Sequence, residues 1–278
     1  MGRNYYYLVA GLPELVIDLE NKGFSIDRLK EEVQENIHPN DWNLLSEIFR
    51  PFDIENLLYL RSVSGVRFNT LSNFTEEGMI EAIEHLNLPS FMQAYIQSQL
   101  PKDEDEVTEE GTKQSPEAYL WTLFYEAMEK SANSFLRNWY SFDRDFRNIL
   151  AALACRNQKK DIASSLIGGG ELVETLSRST APDFGIKKEI DYLERVFQIV
   201  EQFNLLEREK KFDQLRWQVA EDLAVYDYFN LQWLMAFFVK ATIVSRWLSL
   251  DRKHGEVLFQ NLVNELKSSF ELSSSFKQ

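Results

Sequence analysis

Asp145-Phe146-Arg147-Asn148-Ile149-Leu150 sets an acid and an amide three residues apart and follows the amide with aliphatic side chains. On a helix, residues three and four apart share a face, so Asp145 and Asn148 make one polar pair while Ile149 anchors the same helix inward. The pattern D-x-x-N-[LI] recurs as Asp53-Ile54-Glu55-Asn56-Leu57-Leu58 and as Asp227-Tyr228-Phe229-Asn230-Leu231-Gln232, where Gln232 replaces the last Leu. The three starts are 92 and 82 residues apart. Two readings stand side by side. In one, common residue types meet three times by chance at helix starts, where Asp and Asn bond locally to the backbone. In the other, a helical unit of roughly 80 to 90 residues is repeated in tandem.

Outward from these copies the periodicity is helical. Ile26, Leu29, Val33 and Ile37 recur at steps of three and four before Pro39, and Trp42, Leu45, Ile48 and Phe49 do so before Pro51. Asp53 and Thr75 read as N-caps of helices over 53–63 and 75–86, and a further helix covers 91–100. Ser115-Pro116-Glu117 combines a hydroxyl cap, a proline at N1 and an acid in the first turn, and opens a long aromatic-rich helix. A second run follows over 143–157, after Trp139-Tyr140-Ser141-Phe142. Helices are expected over 183–206, over 212–250 as one or two pieces, and over 256–270. Two stretches break the order. Residues 101–114 hold six acids and two bases and read as a solvated linker, and Gly168-Gly169-Gly170 reads as a flexible break. The opening Tyr5-Tyr6-Tyr7-Leu8-Val9-Ala10-Gly11-Leu12-Pro13 is expected to be extended or strand-like. The expected organisation is all-α, with lobes at 1–100, 115–180 and 181–278 around the linker 101–114.

With 30 Lys+Arg against 44 Asp+Glu the chain carries −14, which disfavours nucleic acid and suits a basic partner. The longest uncharged part of the most apolar segment, Tyr228 to Val239, has 12 residues, short of the ~20 that cross a bilayer. No direct membrane insertion is expected, and without a leader pattern the chain reads as cytoplasmic. No phosphate-cradle, dinucleotide, nucleophile-elbow or zinc-protease motif occurs. His38, His85 and His254 are scattered near helix ends, where a cation is favourable against the dipole, so no metal and no His-based catalysis is expected. Cys155 follows Ala151-Ala152-Leu153-Ala154, the setting of a small buried thiol. Neither a cofactor nor an enzymatic activity is expected.

The opening Tyr5 to Pro13, with Phe52-Asp53-x-x-Asn56-Leu57-Leu58 and Phe142-Asp143-x-Asp145-x-x-Asn148-Ile149-Leu150, resembles a bacterial family whose genes lie among those for V/A-type ATPase subunits. That family in turn is similar to a divergent form of the funnel-shaped, C-type component of those rotary ATPases, called d in eukaryotes. The resemblance implies an all-helical, three-lobed funnel in pseudo-threefold arrangement, peripheral at the inner face of the cell membrane. It also implies a non-catalytic role: accepting the foot of the central rotor stalk and coupling it to the membrane ring for ion transport. Both stalk and ring subunits would then be partners. Residues that matter beyond packing are expected to be Asp53, Asn56, Asp145, Asn148, Asp227 and Asn230, as helix-end or cavity-facing groups.

A second class of reading is a helical scaffold or regulatory protein-binding module unrelated to ATPases. A third is an enzyme, which would require a deep pocket where carboxylates of perturbed pKa converge with Arg or His.

Overall fold

The computed structural model describes residues 3–17, 24–65, 67–99, 115–187 and 190–249. The linker expected at 101–114, the helix expected at 256–270 and His254 lie outside these residues. The fold is all-α, and no strand occurs among the described residues. The Tyr-rich opening is therefore not extended. It forms α1, Tyr6–Gly11, which buries none of its side chains; Tyr5 is tied at one end by its amide to the Phe229 carbonyl at 2.5 Å and at the other by its hydroxyl to Asp41.

The next helices follow their caps. α2, Ile26–Asn36, starts where Ser25 accepts from the Arg28 amide and buries Ile26, Leu29 and Val33, the predicted stripe. α3, Pro39–Leu45, runs through a 3₁₀ turn, Ser46–Phe49, straight into α4, Arg50–Leu60. Pro51 thus lies in the first turn of α4, where its missing N–H costs no helical hydrogen bond. α5, Glu76–Glu84, is capped by Thr75 as expected, and α6 is Ser90–Ser98. His38 stands at a helix end, as the N-cap of α3, where its Nδ1 accepts from the Asn40 amide at 3.2 Å.

Ser115 caps α7, Pro116–Glu129, and α8 spans Ser134–Gln158. The helical break lies at 130–133, earlier than the aromatic run suggested, because the Asn133 side chain accepts from the Leu136 amide and starts a new helix. Trp139-Tyr140-Ser141-Phe142 is therefore inside α8 and buries Trp139, Tyr140 and Phe142. A short 3₁₀ turn, Ala163–Ser165, and the Gly168–Gly170 break lead to α9, Glu171–Arg178. Gly168 and Gly170 hold φ of +76° and +103°, a conformation that a side chain at Cβ disfavours.

The helix expected over 183–206 is only α10, Leu193–Val200. Ahead of it, Phe184 and Gly185 turn the chain at positive φ, and Asp183 accepts from the Gly185 amide. Behind it, the Asn204 side chain accepts from two amides and starts α11, Leu205–Leu223. α12, Leu231–Ser249, completes the described fold. Lys240 pairs with Glu221 and Arg246 with Asp213, so α11 and α12 run antiparallel.

One hydrophobic cluster extends from Ile26 in α2 to Ala241 in α12. Phe49 meets Phe238 edge-on at 5.4 Å, which ties the 3₁₀ turn after α3 to α12; Phe146 meets Phe212 at 5.5 Å, which ties α8 to α11. Such pairs add about 0.5–1.5 kcal/mol each beyond the area they bury.

Candidate functional site

The first Asp-Asn pair is fully buried on α4. Asp53 lies in the first turn of the helix, whose N-cap position is Phe49, so it is no N-cap; its carboxylate accepts from Ser72 Oγ at 2.6 Å, the Asn73 amide at 2.7 Å, Asn73 Nδ2 at 2.8 Å and Arg50 at 2.9 Å. Asn56 donates through Nδ2 to the Asn69 carbonyl at 3.0 Å and accepts at Oδ1 from the Asn69 amide at 2.7 Å. Lys30 lies over the Phe49 ring at 4.0 Å and donates to the Leu71 and Ser72 carbonyls at 3.0 Å. Three side chains thus satisfy the backbone and hydroxyl groups of the segment 69–73, which has no secondary structure to satisfy them.

The second pair divides. Asn148, buried on α8, repeats the grip of Asn56: Nδ2 donates to the Ile167 carbonyl at 2.9 Å and Oδ1 accepts from the Ile167 amide at 2.8 Å. Asp145 faces elsewhere, with a quarter-exposed side chain paired to Arg144 at 3.1 Å. Burial lifts the Asp145 carboxyl above the usual carboxylate range, and Arg144 offsets only part of that. The third pair is a helix cap. Asn230 Nδ2 donates to Asp227 at 2.6 Å while its Oδ1 accepts from the Trp233 amide at 3.2 Å, at the start of α12. Among the described residues no hydrogen bond joins the three pairs, so they do not form one site.

Among the described residues the buried Asp side chains are Asp53, Asp143 and Asp213, and the D-x-x-N pattern picks out only the first of them. A signal for the other two is present, because Phe-Asp occurs as Phe52-Asp53, Phe142-Asp143 and Phe212-Asp213 and nowhere else in the chain. Each Asp pairs with an arginine of its own helix: Asp53 with Arg50, Asp143 with Arg147, Asp213 with Arg216. Each also takes a donor from another element. These are Ser72, the Tyr125 hydroxyl at 2.6 Å, and Trp247 Nε1 at 2.7 Å with Arg246 at 2.5 Å. The three Phe-Asp steps are buried polar anchors: Asp53 fixes α4 to the segment 69–73, Asp143 fixes α8 to α7, and Asp213 fixes α11 to α12.

The central anchor is the most elaborate. Arg147 lies over the Trp121 ring at 4.2 Å and bonds Asp143, which holds it charged although burial opposes the charge. Tyr125 and Tyr140 keep their protons far above the ordinary phenol range, first because they are buried and then because Asp143 and Glu47 respectively stand nearby. The Tyr140 hydroxyl donates to the Glu47 carbonyl at 2.6 Å and so links α8 to the 3₁₀ turn before α4. No buried side-chain N or O atom among the described residues lacks a partner.

Surface grooves of about 510 and 520 Å³ are formed by described residues. Lys187, Glu194, Phe197 and Glu201 line one; Glu171, Glu174, Arg178 and Phe184 line the other. Neither includes Asp145, Arg147 or a histidine. No group of three metal-ligating side chains occurs among the described residues, and no described helix is long and apolar enough to cross a membrane. Cys155 is buried, with its thiol toward Ser165 Oγ at 3.2 Å.

Residues 2–270 match the family described as "Protein of unknown function (DUF2764)", and the chain belongs to that family. No curated protein and no solved structure matches it.

Proposed function

We propose that this DUF2764 protein is a non-catalytic central-stalk adaptor of a V/A-type ATPase, peripheral at the inner face of the cell membrane, linking the rotor stalk to the membrane ring. The observation that carries the reading is the distribution of the buried Phe-Asp anchors: one falls in each of the segments 1–100, 115–180 and 181–278. Three helical units of related construction are what a three-lobed rotary-ATPase funnel requires. An adaptor under torque also needs helices that do not slip. Anchors of charge and hydrogen bond, set in close-packed aromatic cores, resist sliding because each partner has one geometry in which it is satisfied.

The test is recovery of the tagged full chain from its native membranes, with and without a low-salt wash, and identification of its partners by mass spectrometry. Stoichiometric recovery of stalk and ring subunits is expected. Their absence from the recovered material, while the ATPase stays intact in the same membranes, overturns the reading and leaves a helical scaffold or regulatory module.

A further inference from the structure

The strongest unused feature is an aromatic surface made by two segments far apart in sequence. Tyr6 and Tyr7 in α1 are 56% and 97% exposed, and Tyr226 and Tyr228, in the connection between α11 and α12, are 92% and 68% exposed. The segments meet at Phe229, whose ring lies 5.0 Å from that of Tyr6 and whose carbonyl accepts the Tyr5 amide. At about 200 Å² for each such side chain, the four tyrosines leave on the order of 600 Å² of aromatic surface in water, the upper end of the largest patch on an ordinary monomer, a size that is often functional. Phe229 holds its backbone at φ +64°, a conformation costly for a bulky residue.

The charges beside this surface select among occupants. Arg3 is neutralised by Asp41, and Glu221 by Lys240. Among the described residues Asp222, in the last turn of α11, and Asp227, in the connection after it, have only amide donors, Gln218 at 2.9 Å and Asn230 at 2.6 Å, which leaves two uncompensated negative charges where α11 runs into the connection. A second copy would bring the same acids against themselves, and the whole chain carries −14. An anionic bilayer is repelled for the same reason. We infer that the face made by α1 and the 225–229 connection docks an amphipathic protein helix with an apolar stripe rimmed by Lys or Arg. The stripe covers the tyrosines and the rim meets Asp222 and Asp227. The inference goes beyond the stalk assignment and does not depend on it, since the chemistry of the face carries it.

The test uses the purified full chain and two labelled synthetic helical peptides with one Leu/Trp stripe, one rimmed with Lys and the other with Glu, titrated by fluorescence anisotropy at physiological salt. The Lys-rimmed peptide is expected to bind at least roughly tenfold more tightly than the Glu-rimmed one. Replacing Tyr7 and Tyr226 together by Ser, with helical circular dichroism unchanged because both side chains are almost wholly exposed, is expected to weaken binding by at least roughly tenfold. Equal binding of the two peptides overturns the proposal, as does no binding of either up to millimolar concentration. So does full retention of Lys-peptide binding by the double variant, which would mean general attraction to an acidic protein. Sedimentation showing a dimer that the double variant loses would assign the face to a second copy. Co-sedimentation with phosphatidylcholine/phosphatidylglycerol vesicles, lost in the variant, would assign it to a membrane. Either result overturns the helix-docking proposal.

Discussion

Asn148 holds Ile167 by both of its backbone groups, at 2.9 and 2.8 Å, across 19 residues of chain, and Asn56 holds Asn69 in the same way across 13. A side-chain amide is the one natural group that offers a donor and an acceptor side by side to match a peptide unit. Alanine at either position leaves an amide and a carbonyl without partners near a buried helix face, at a cost of about 2–4 kcal/mol. Asn230→Ala removes only a helix cap, for about 1 kcal/mol. Urea unfolding of the three variants is expected to rank Asn56→Ala and Asn148→Ala well below Asn230→Ala in midpoint.

Asp53 and Asp145 share a sequence motif and have opposite energetics. Asp53→Asn takes the charge from a buried carboxylate with four donors, Arg50 among them, and is expected to destabilise by about 2–4 kcal/mol. Asp145→Asn removes a carboxylate that burial penalises. The sign follows from its raised pKa: the ionised form opposes folding at neutral pH, and that opposition fades as pH falls through the folded value, until both states are protonated below about pH 4. Asp145→Asn is therefore expected to melt at or about 1–2 °C above the native chain at pH 7. The advantage is expected to vanish in thermal scans near pH 3.5. A clear loss at neutral pH would contradict the balance drawn for this side chain.

Arg147 both stacks on Trp121 and bonds Asp143. Lysine keeps the charge but lacks the planar face and the fork of donors, so Arg147→Lys is expected to cost about 1–2 kcal/mol. A shift in tryptophan emission measured alongside the unfolding curve would locate the change at the α7–α8 contact; an unchanged midpoint would show that charge alone matters there.

Asp213 joins α11 to α12 through Arg246 and Trp247. Asp213→Ala leaves the buried Trp247 indole N–H without its acceptor and Arg216 without its carboxylate, while Arg246 keeps only its longer pair with Glu209 at 3.7 Å, for an expected loss of about 2–4 kcal/mol. Hydrogen exchange is expected to speed up in α11 and α12 before it does so in α4. Uniform acceleration throughout the chain would mean that the anchor is not local.

The helical fold was legible because it rests on local signals. Ser25, Thr75 and Ser115 cap the helices that their sequences announce, and Ile26, Leu29 and Val33 are buried at the spacing that predicts it. The misread places are those where a distant partner outweighs local pattern. Tyr5 to Gly11 has strand composition, yet its first residue is held by Phe229 and Asp41 and no neighbouring strand exists to pair with it among the described residues. Trp139 to Phe142 has the look of a break because three aromatic residues among four match no single helical face; α8 is buried on enough of its circumference to take them.

The polar sites divide in the same way. That Asp and Asn recur three apart on one helical face before aliphatic residues is legible in the chain alone, since it needs only the spacing of a helix. Packing assigns the roles: Asn56 and Asn148 grip a returning backbone, Asn230 merely caps, and Asp143 and Asp213, not Asp145 and Asp227, are the counterparts of Asp53. The physical reason is that a motif specifies which groups a side chain carries, whereas burial and the donors brought to it from other elements specify what those groups must do. Those donors, Ser72, Tyr125 and Trp247, lie 18 to 34 residues away in the chain, beyond the reach of any local pattern.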